Sequence, residues 1–411
     1  MSTSIPTLRF ASGYSPRTLL GNLVANVDGR TDAGVDSASR TALAPHEDFR
    51  SKPVTLPAAG AGTVPDSERF RVANPMTEPS WDDWIDAHPE STVFHTAAWA
   101  AVLQETYGFR PQYLVAAEAG APRAVLPLME CASPLTGKRG VSLPFTDYVP
   151  PLVGENTTFK ALLDQALVHG RQRGWRTLEC RGGADCLPDA PASLTFYRHV
   201  LDLRGGEAGL LAGFDSSVRR AIRKAERSGI EIHREESWEA VAAYYALHCQ
   251  TRRKHGLPPQ SVGFFRNLHR HLISRGAGCV FLACHRGRSI AGALFLHRGG
   301  QALYKFGASD EAHLGLRANN LIFWTAIRFY ADQGYQTLDF GRTSLGNEGL
   351  RRFKLGWGAA EASVNYLKYD LRRNRFVTDR DLASGWHNTL FRRLPLPVLR
   401  WVGAQLYRHL T

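Results

Sequence analysis

Asp339 and Arg342 lie three residues apart in Thr337-Leu-Asp-Phe-Gly-Arg-Thr-Ser344, a segment with strand character. That spacing sets a carboxylate and a guanidinium at a strand's carboxyl edge, where ligands often bind in α/β sheets. Lys354 follows in Gly349-Leu-Arg-Arg-Phe-Lys-Leu-Gly-Trp-Gly358, between Phe353 and Trp357. Its amine either stands in a partly apolar pocket or snorkels to water past two core aromatics. Ser142-Leu-Pro-Phe-Thr-Asp-Tyr148 ends another strand with Asp147 and Tyr148. These two suit proton transfer or substrate hydrogen bonding, or form a plain turn.

Two further segments suit anions. In Phe214-Asp-Ser-Ser-Val-Arg-Arg-Ala-Ile-Arg-Lys-Ala-Glu-Arg-Ser-Gly229, Val218, Ala221, Ile222 and Ala225 share one helical face. Arg219, Arg223 and Arg227 recur every fourth residue, with Arg220 and Lys224 beside them. The stripe is either a phosphate site, since guanidinium forks match phosphate oxygens, or a solvated face. Asp215 or Ser216 is placed to cap this helix. Downstream, Ala302-Leu-Tyr-Lys-Phe-Gly-Ala-Ser309 carries Lys305, and a helix opens near Arg317 with Asn319 and Asn320. A strand, a loop and a helix N-terminus in that order point free N–H groups and the positive helix end at a ligand, or form an ordinary connection. The chain has no G-x-S-x-G elbow, no P-loop and no strand-linked G-x-G-x-x-G. Its six cysteines include no C-x-x-C pair, and His269-Arg-His271 reads as surface helix, so no metal is called for.

These residues must be positioned by strands and helices in mixed order. Helices are expected after Ser80, over Thr96–Tyr107, Phe159–Arg173, Phe214–Ser228, Trp238–His255, Val262–Arg275 and Arg317–Gln333. Strands are expected at Gln112–Glu118, Arg123–Glu130, Gly140–Phe145, Arg176–Arg181, Thr195–Leu203, Gly278–His285, Ser289–Arg298, Gln301–Ala308, Tyr335–Phe340 and Ala362–Tyr369. The mixture implies an α/β (α+β) chain with helices covering a partly antiparallel sheet. Hairpin, helix and strand follow one another twice, so two copies of one architecture are expected, over 67–192 and 193–370. Residues 1–66 are rich in Ser, Thr, Ala, Gly and Pro and read as a disordered leader.

Composition bounds the partners. The chain of 411 residues is 44% hydrophobic and 21% charged, which excludes a collagen-like, disulfide-dense or wholly disordered chain. Its net charge is +12, which points to an anionic partner. Residues 371–411 hold eight Arg and two Asp, half of that excess. Leu399, Val402, Leu406 and Leu410 give this basic tail an amphipathic face. Residues 386–411 are expected either to rest on an anionic membrane surface or to dock on the domain. No stretch reaches the roughly 18 apolar residues of a spanning helix, and no secretory signal opens the chain. A cytoplasmic location follows, with the tail as an option for the inner membrane face.

The ordered set VRRAIRKAERSGIEI, TRRKHGLPP, YKFGAS, RANNLIFW, LDFGRTS and FKLGWG resembles the FemAB-like branch of the GNAT acyltransferase superfamily, including its exopolysaccharide- and exosortase-associated proteins. FHTAAWAAVLQETYG, VLPLM, SLPFTDY and LECRGG agree in the first half, so the resemblance covers about residues 79–370. It implies two tandem GNAT-like domains with mixed central sheets flanked by helices, and a groove between them. It also implies transfer of an acyl or aminoacyl group, from acyl-CoA or aminoacyl-tRNA, to an amine of a cell-envelope or polysaccharide precursor. On that likeness Lys354 would bind the reacting carbonyl, with Arg342 as another donor. Asp147 or Asp339 would take the proton. Tyr148 would meet the acceptor, while Arg219, Arg223, Lys305, Arg317, Asn319 and Asn320 would bind substrate. The GNAT pyrophosphate loop, Arg/Gln-x-x-Gly-x-Gly/Ala, is not reproduced in HLGLRANN, and Trp99 is followed by Ala100 where Fem-type ligases carry Lys. A competing class is a non-catalytic polyanion-binding protein that kept the groove.

Overall fold

The computed structural model describes residues 69–118, 121–153, 159–379 and 386–410. The leader expected over 1–66 lies outside the described residues. The first half opens with β1 (Arg69–Ala73), α1 (Trp81–Ala87) and α2 (Ala97–Tyr107). Thr96 caps α2 by accepting from Trp99 N, and Gly108 ends it. Ser80 precedes α1 but makes no side-chain cap. Then come β2 (Arg110–Pro111), β3 (Tyr113–Glu118), β4 (Ala121–Leu126), β5 (Met129–Ser133), β6 (Gly137–Val141), α3 (Phe159–Arg173) and β7 (Thr177–Cys180). The run Arg123–Glu130, expected as one strand, is two. Pro127 has no N–H to continue a ladder, so β4 stays with β3 and β5 joins another sheet.

The second half contains β8 (Leu194–Asp202), α4 (Gly206–Gly213), α5 (Ser216–Arg227), β9 (Glu231–Glu235), α6 (Trp238–Lys254) and α7 (Val262–His271). A meander of β10 (Gly278–His285), β11 (Arg288–Arg298) and β12 (Gln301–Ser309) follows. Next are α8 (Ala318–Asp332), β13 (Thr337–Ser344), α9 (Glu348–Leu355) and β14 (Ala360–Asp370). The tail adds β15 (Arg375–Phe376), α10 (Trp386–Arg393) and α11 (Leu396–Leu406).

Both halves share one mixed sheet, in the order β2-β5-β6-β7-β14-β8-β13-β12-β11-β10-β9. Strand β14 joins them, pairing β8 through Ala360–Tyr366 and β7 through Leu367–Asp370. Strands β1, β3 and β4 form a separate small sheet. The site is shaped by two irregularities. Strands β12 and β13 are parallel but pair only at Gln301–Leu303 with Thr337–Asp339, after which they part. Lys305 is the extra residue of a bulge in β12, because Leu294 faces Phe306 while Phe295 faces Tyr304.

One hydrophobic core runs through both halves. It joins Trp99, Val102, Phe109 and Phe145 to Tyr244, Phe264, Phe306 and Tyr407. A second core lies under α5 and α8 and contains Phe214, Ile222, Phe323 and Trp357. The tail docks against both halves, with His409 O accepting from Arg139 of the first. Leu399, Tyr407 and Leu410 are buried there, and Tyr407 Oη donates to Pro258 O and accepts from Arg252. Among the described residues no helix is long and apolar enough to cross a membrane.

Candidate active site

The loop Ser142–Tyr148 reaches from the first half to the parted strands. Leu143 and Phe145 hold left-handed backbones, at φ 47° and 63°, which cost about 1–2 kcal/mol each for a residue with a Cβ. Three side chains hold the loop in place. Lys305 Nζ donates to Phe145 O at 2.7 Å, Arg181 to Thr146 O at 3.0 Å, and Tyr366 Oη to Asp147 O. Lys305 and Tyr366 come from the second half, so the halves are tied at this loop.

Asp147 is thereby placed between two cations. Its carboxylate stands 3.9 Å from Lys305 Nζ and 3.7 Å from Arg342 Nε. Arg342 also donates to Tyr366 Oη and lies 4.4 Å over the Phe196 ring. Gly341 makes this approach possible: it adopts φ +72°, and a Cβ there would stand 2.8 Å from Asp147 Oδ2. Asp339 is committed on both oxygens. Oδ2 accepts from Arg198 Nε at 2.7 Å and Oδ1 from Gly341 N at 2.7 Å. Arg198, which sequence reasoning did not single out, also lies 4.6 Å over the Tyr148 ring. Burial opposes its charge, but Asp339 outweighs burial and raises its affinity for the proton. Burial pushes the Tyr148 phenol up, so it is a donor at neutral pH. Asp147, Tyr148, Arg198 and Asp339 line a small cavity of about 30 Å³ between the halves, together with Thr92 and Phe94.

Lys354 lies elsewhere in this architecture. It is buried on α9, and its Nζ donates to Gly341 O and Arg342 O, both at 2.9 Å. Strand β13 is bulged there, since its register with β8 shifts between Asp339 and Arg342. The amine therefore satisfies main-chain acceptors that a regular ladder would have used.

A larger cavity, about 810 Å³, opens beyond the far end of β12. Two helix N-termini line it: Asp215, Ser217 and Val218 of α5, and Arg317, Ala318, Asn319 and Asn320 of α8. Neither helix has a side-chain cap on its first N–H groups, although at α8 Asn320 N donates to Arg317 O. Arg220, Lys224, Arg317 and Arg352 bring four cations to the wall, against Asp215 as the one carboxylate among the lining residues. Arg317, Asn319 and Asn320 thus gather at this cavity. The helix α5 is turned so that Arg220 and Lys224 face the cavity, whereas Arg223 is exposed and does not line it. Arg219 instead donates to Leu211 O and Ala212 O at the end of α4, satisfying terminal carbonyls. The stripe was legible in the sequence; its rotation was not, because it depends on where α8 packs.

Comparison with known proteins agrees with this geometry. Residues 212–361 match the family model described as an acetyltransferase (GNAT) domain. A search among curated proteins finds no match. Among solved structures, FemX superposes with a TM-score of 0.59 at 16% identity, covering 71% of this chain and 95% of FemX. A tandem GNAT protein from the clavulanic acid biosynthesis pathway gives a TM-score of 0.50 at 13% identity, covering 74% of this chain and 98% of that one. At such identities these two likenesses show the fold. The cavity-lining helices and the parted strands all fall inside the matched segment, and the chain carries a GNAT acetyltransferase domain of the acyltransferase class in its second half.

Proposed function

We propose that the chain is an N-acyltransferase that takes its acyl group from a CoA thioester and passes it to an amine entering between the two halves. The cavity at the joined N-termini of α5 and α8 carries this reading: four cations and two uncapped helix ends suit the phosphates of the donor. The acyl carbonyl would enter the gap where β12 and β13 part. Its developing oxyanion needs donors already in place, and main-chain N–H groups of the parted strands would supply them. The amine nitrogen attacks the carbonyl carbon, the C–S bond breaks, and the sulfur leaves as the CoA thiol. The amine's proton passes by way of water to the carboxylate cluster at Asp147. Tyr148 and Arg198 orient the acceptor. Lys305, Arg342 and Lys354 act through the loop and the bulge that they hold.

The acceptor would be an amine of a cell-envelope or polysaccharide precursor, a reading supported by the FemX-like fold alone. A second donor, aminoacyl-tRNA, is favoured by one observation. Arg223 and Arg227 continue the basic face of α5 outside the cavity, where an RNA backbone could follow. The test is release of free thiol from acetyl-CoA in the presence of amino sugars, set against transfer from charged tRNA. Arg220→Ala/Lys224→Ala should raise KM for the thioester about tenfold with kcat largely kept. Transfer from charged tRNA alone would overturn the thioester reading.

A further inference from the structure

The docked tail presents a second face. On α11 the buried side is Leu399, Gly403 and, beyond its end, Tyr407 and Leu410. Val398 and Trp401 stand one turn apart on the other side, 44% and 65% exposed. Leu390, on α10, is 51% exposed. Large apolar side chains this open are uncommon on a soluble surface when they gather within twelve residues. The charge of this segment has one sign. Residues 386–410 contain Arg392, Arg393, Arg400 and Arg408 and no Asp or Glu. Arg392, Arg393 and Arg408 are exposed.

We propose that α10 and α11 form a docking surface for an anionic lipid bilayer. Trp401, Val398 and Leu390 enter the headgroup region, and Arg392, Arg393 and Arg408 meet lipid phosphates. An indole is suited to that depth because it joins an apolar body to a polar N–H. The arginines supply attraction that a neutral bilayer does not return. Leucine and valine gain by leaving water for acyl chains but do not stack on bases, which favours lipid over nucleic acid as the occupant. The surface is ready-made, since Tyr407 and Gly403 fix α11 on the Pro258–Pro259 segment before any partner arrives. No part of this depends on the identity of the acyl donor.

The test is flotation of the full chain with vesicles of phosphatidylcholine alone and of phosphatidylcholine with phosphatidylglycerol, with and without ribonuclease. The chain should float with the anionic vesicles and stay behind with the neutral ones. Val398→Ser/Trp401→Ser, and separately Arg392→Gln/Arg393→Gln, should each lower the bound fraction about tenfold. All four side chains are exposed, and unchanged far-ultraviolet dichroism would confirm that the variants fold. Failure of the wild-type chain to float, flotation of the variants like wild type, or flotation abolished by ribonuclease would each overturn the proposal.

Discussion

Lys354 shows how a distorted strand recruits a buried charge. The residue lies between two aromatics in the sequence, and the likeness to FemAB-like proteins assigns it to the reacting carbonyl. In the fold its amine is shared between Gly341 O and Arg342 O. Replacing it by Met leaves both acceptors buried without that donor, a loss of about 2–4 kcal/mol. Lys354→Met is therefore expected to lower the thermal midpoint and kcat/KM together. A variant that melts like wild type while losing activity would show that the amine acts on the carbonyl directly. Gly341 is the more sensitive reporter of Asp147. Gly341→Ala combines a left-handed backbone with a Cβ 2.8 Å from the carboxylate. It should cut kcat/KM about tenfold by shifting that group. The identities of Asp147, Tyr148, Asp339 and Arg342 were open to sequence reasoning because each ends a strand-like run. Arg198 and Tyr366 were not, since both stand inside strands and gain their partners only when β8 lies between β13 and β14.

At the scale of elements, long periodic segments were the readable ones. Helix α3 spans the expected Phe159–Arg173, and the β10–β11–β12 meander stands where three strands in close succession were expected. Helix α4, strand β9 and helix α9 were missed for physical reasons. α4 is a Gly-rich eight-residue segment, β9 is an edge strand with mostly exposed side chains, and α9 is a two-turn helix that Asn347 caps through Leu350 N. None has the length for a periodic signal. The tail was left open between docking and a membrane, and the structure docks it. Its seating depends on a glycine. A Cβ on Gly403 would stand 2.0 Å from Pro259 O, a main-chain atom that cannot swing aside. Gly403→Ala should lift α11 at a cost on the order of 1–3 kcal/mol. Hydrogen exchange would then rise over 396–410 while the amides of β10–β12 stay protected. Unchanged protection of the tail would contradict the packing described.

At the scale of the molecule, the two halves share a core and a sheet. Phe264 packs on Trp99 and Tyr107, and Tyr407 packs on Phe145, across the boundary between the halves. A single cooperative unfolding transition is expected rather than one for each half. It should weaken in acid. Burial holds His95 at about 4 and His248 at about 3. Unfolded histidine titrates near ~6.5, so below that pH the unfolded chain binds protons that the folded chain refuses. The stability from these two rings is complete above pH ~6.5 and is lost as pH falls toward their folded values, each contributing on the order of 3–5 kcal/mol. The urea midpoint should thus be lower at about pH 5 than at about pH 7.5. Equal midpoints would place these rings in water.

The net charge of +12 is also resolved at this scale. Part of it lines the cavity where α5 and α8 meet, and part covers the tail. The claim that the cavity binds the phosphates of a CoA thioester is tested most directly by titrating CoA into the protein in a calorimeter. Wild type should bind with one site, and Arg220→Ala/Lys224→Ala should bind about tenfold more weakly. Equal affinity of the two proteins, or no heat of binding in either, would contradict it.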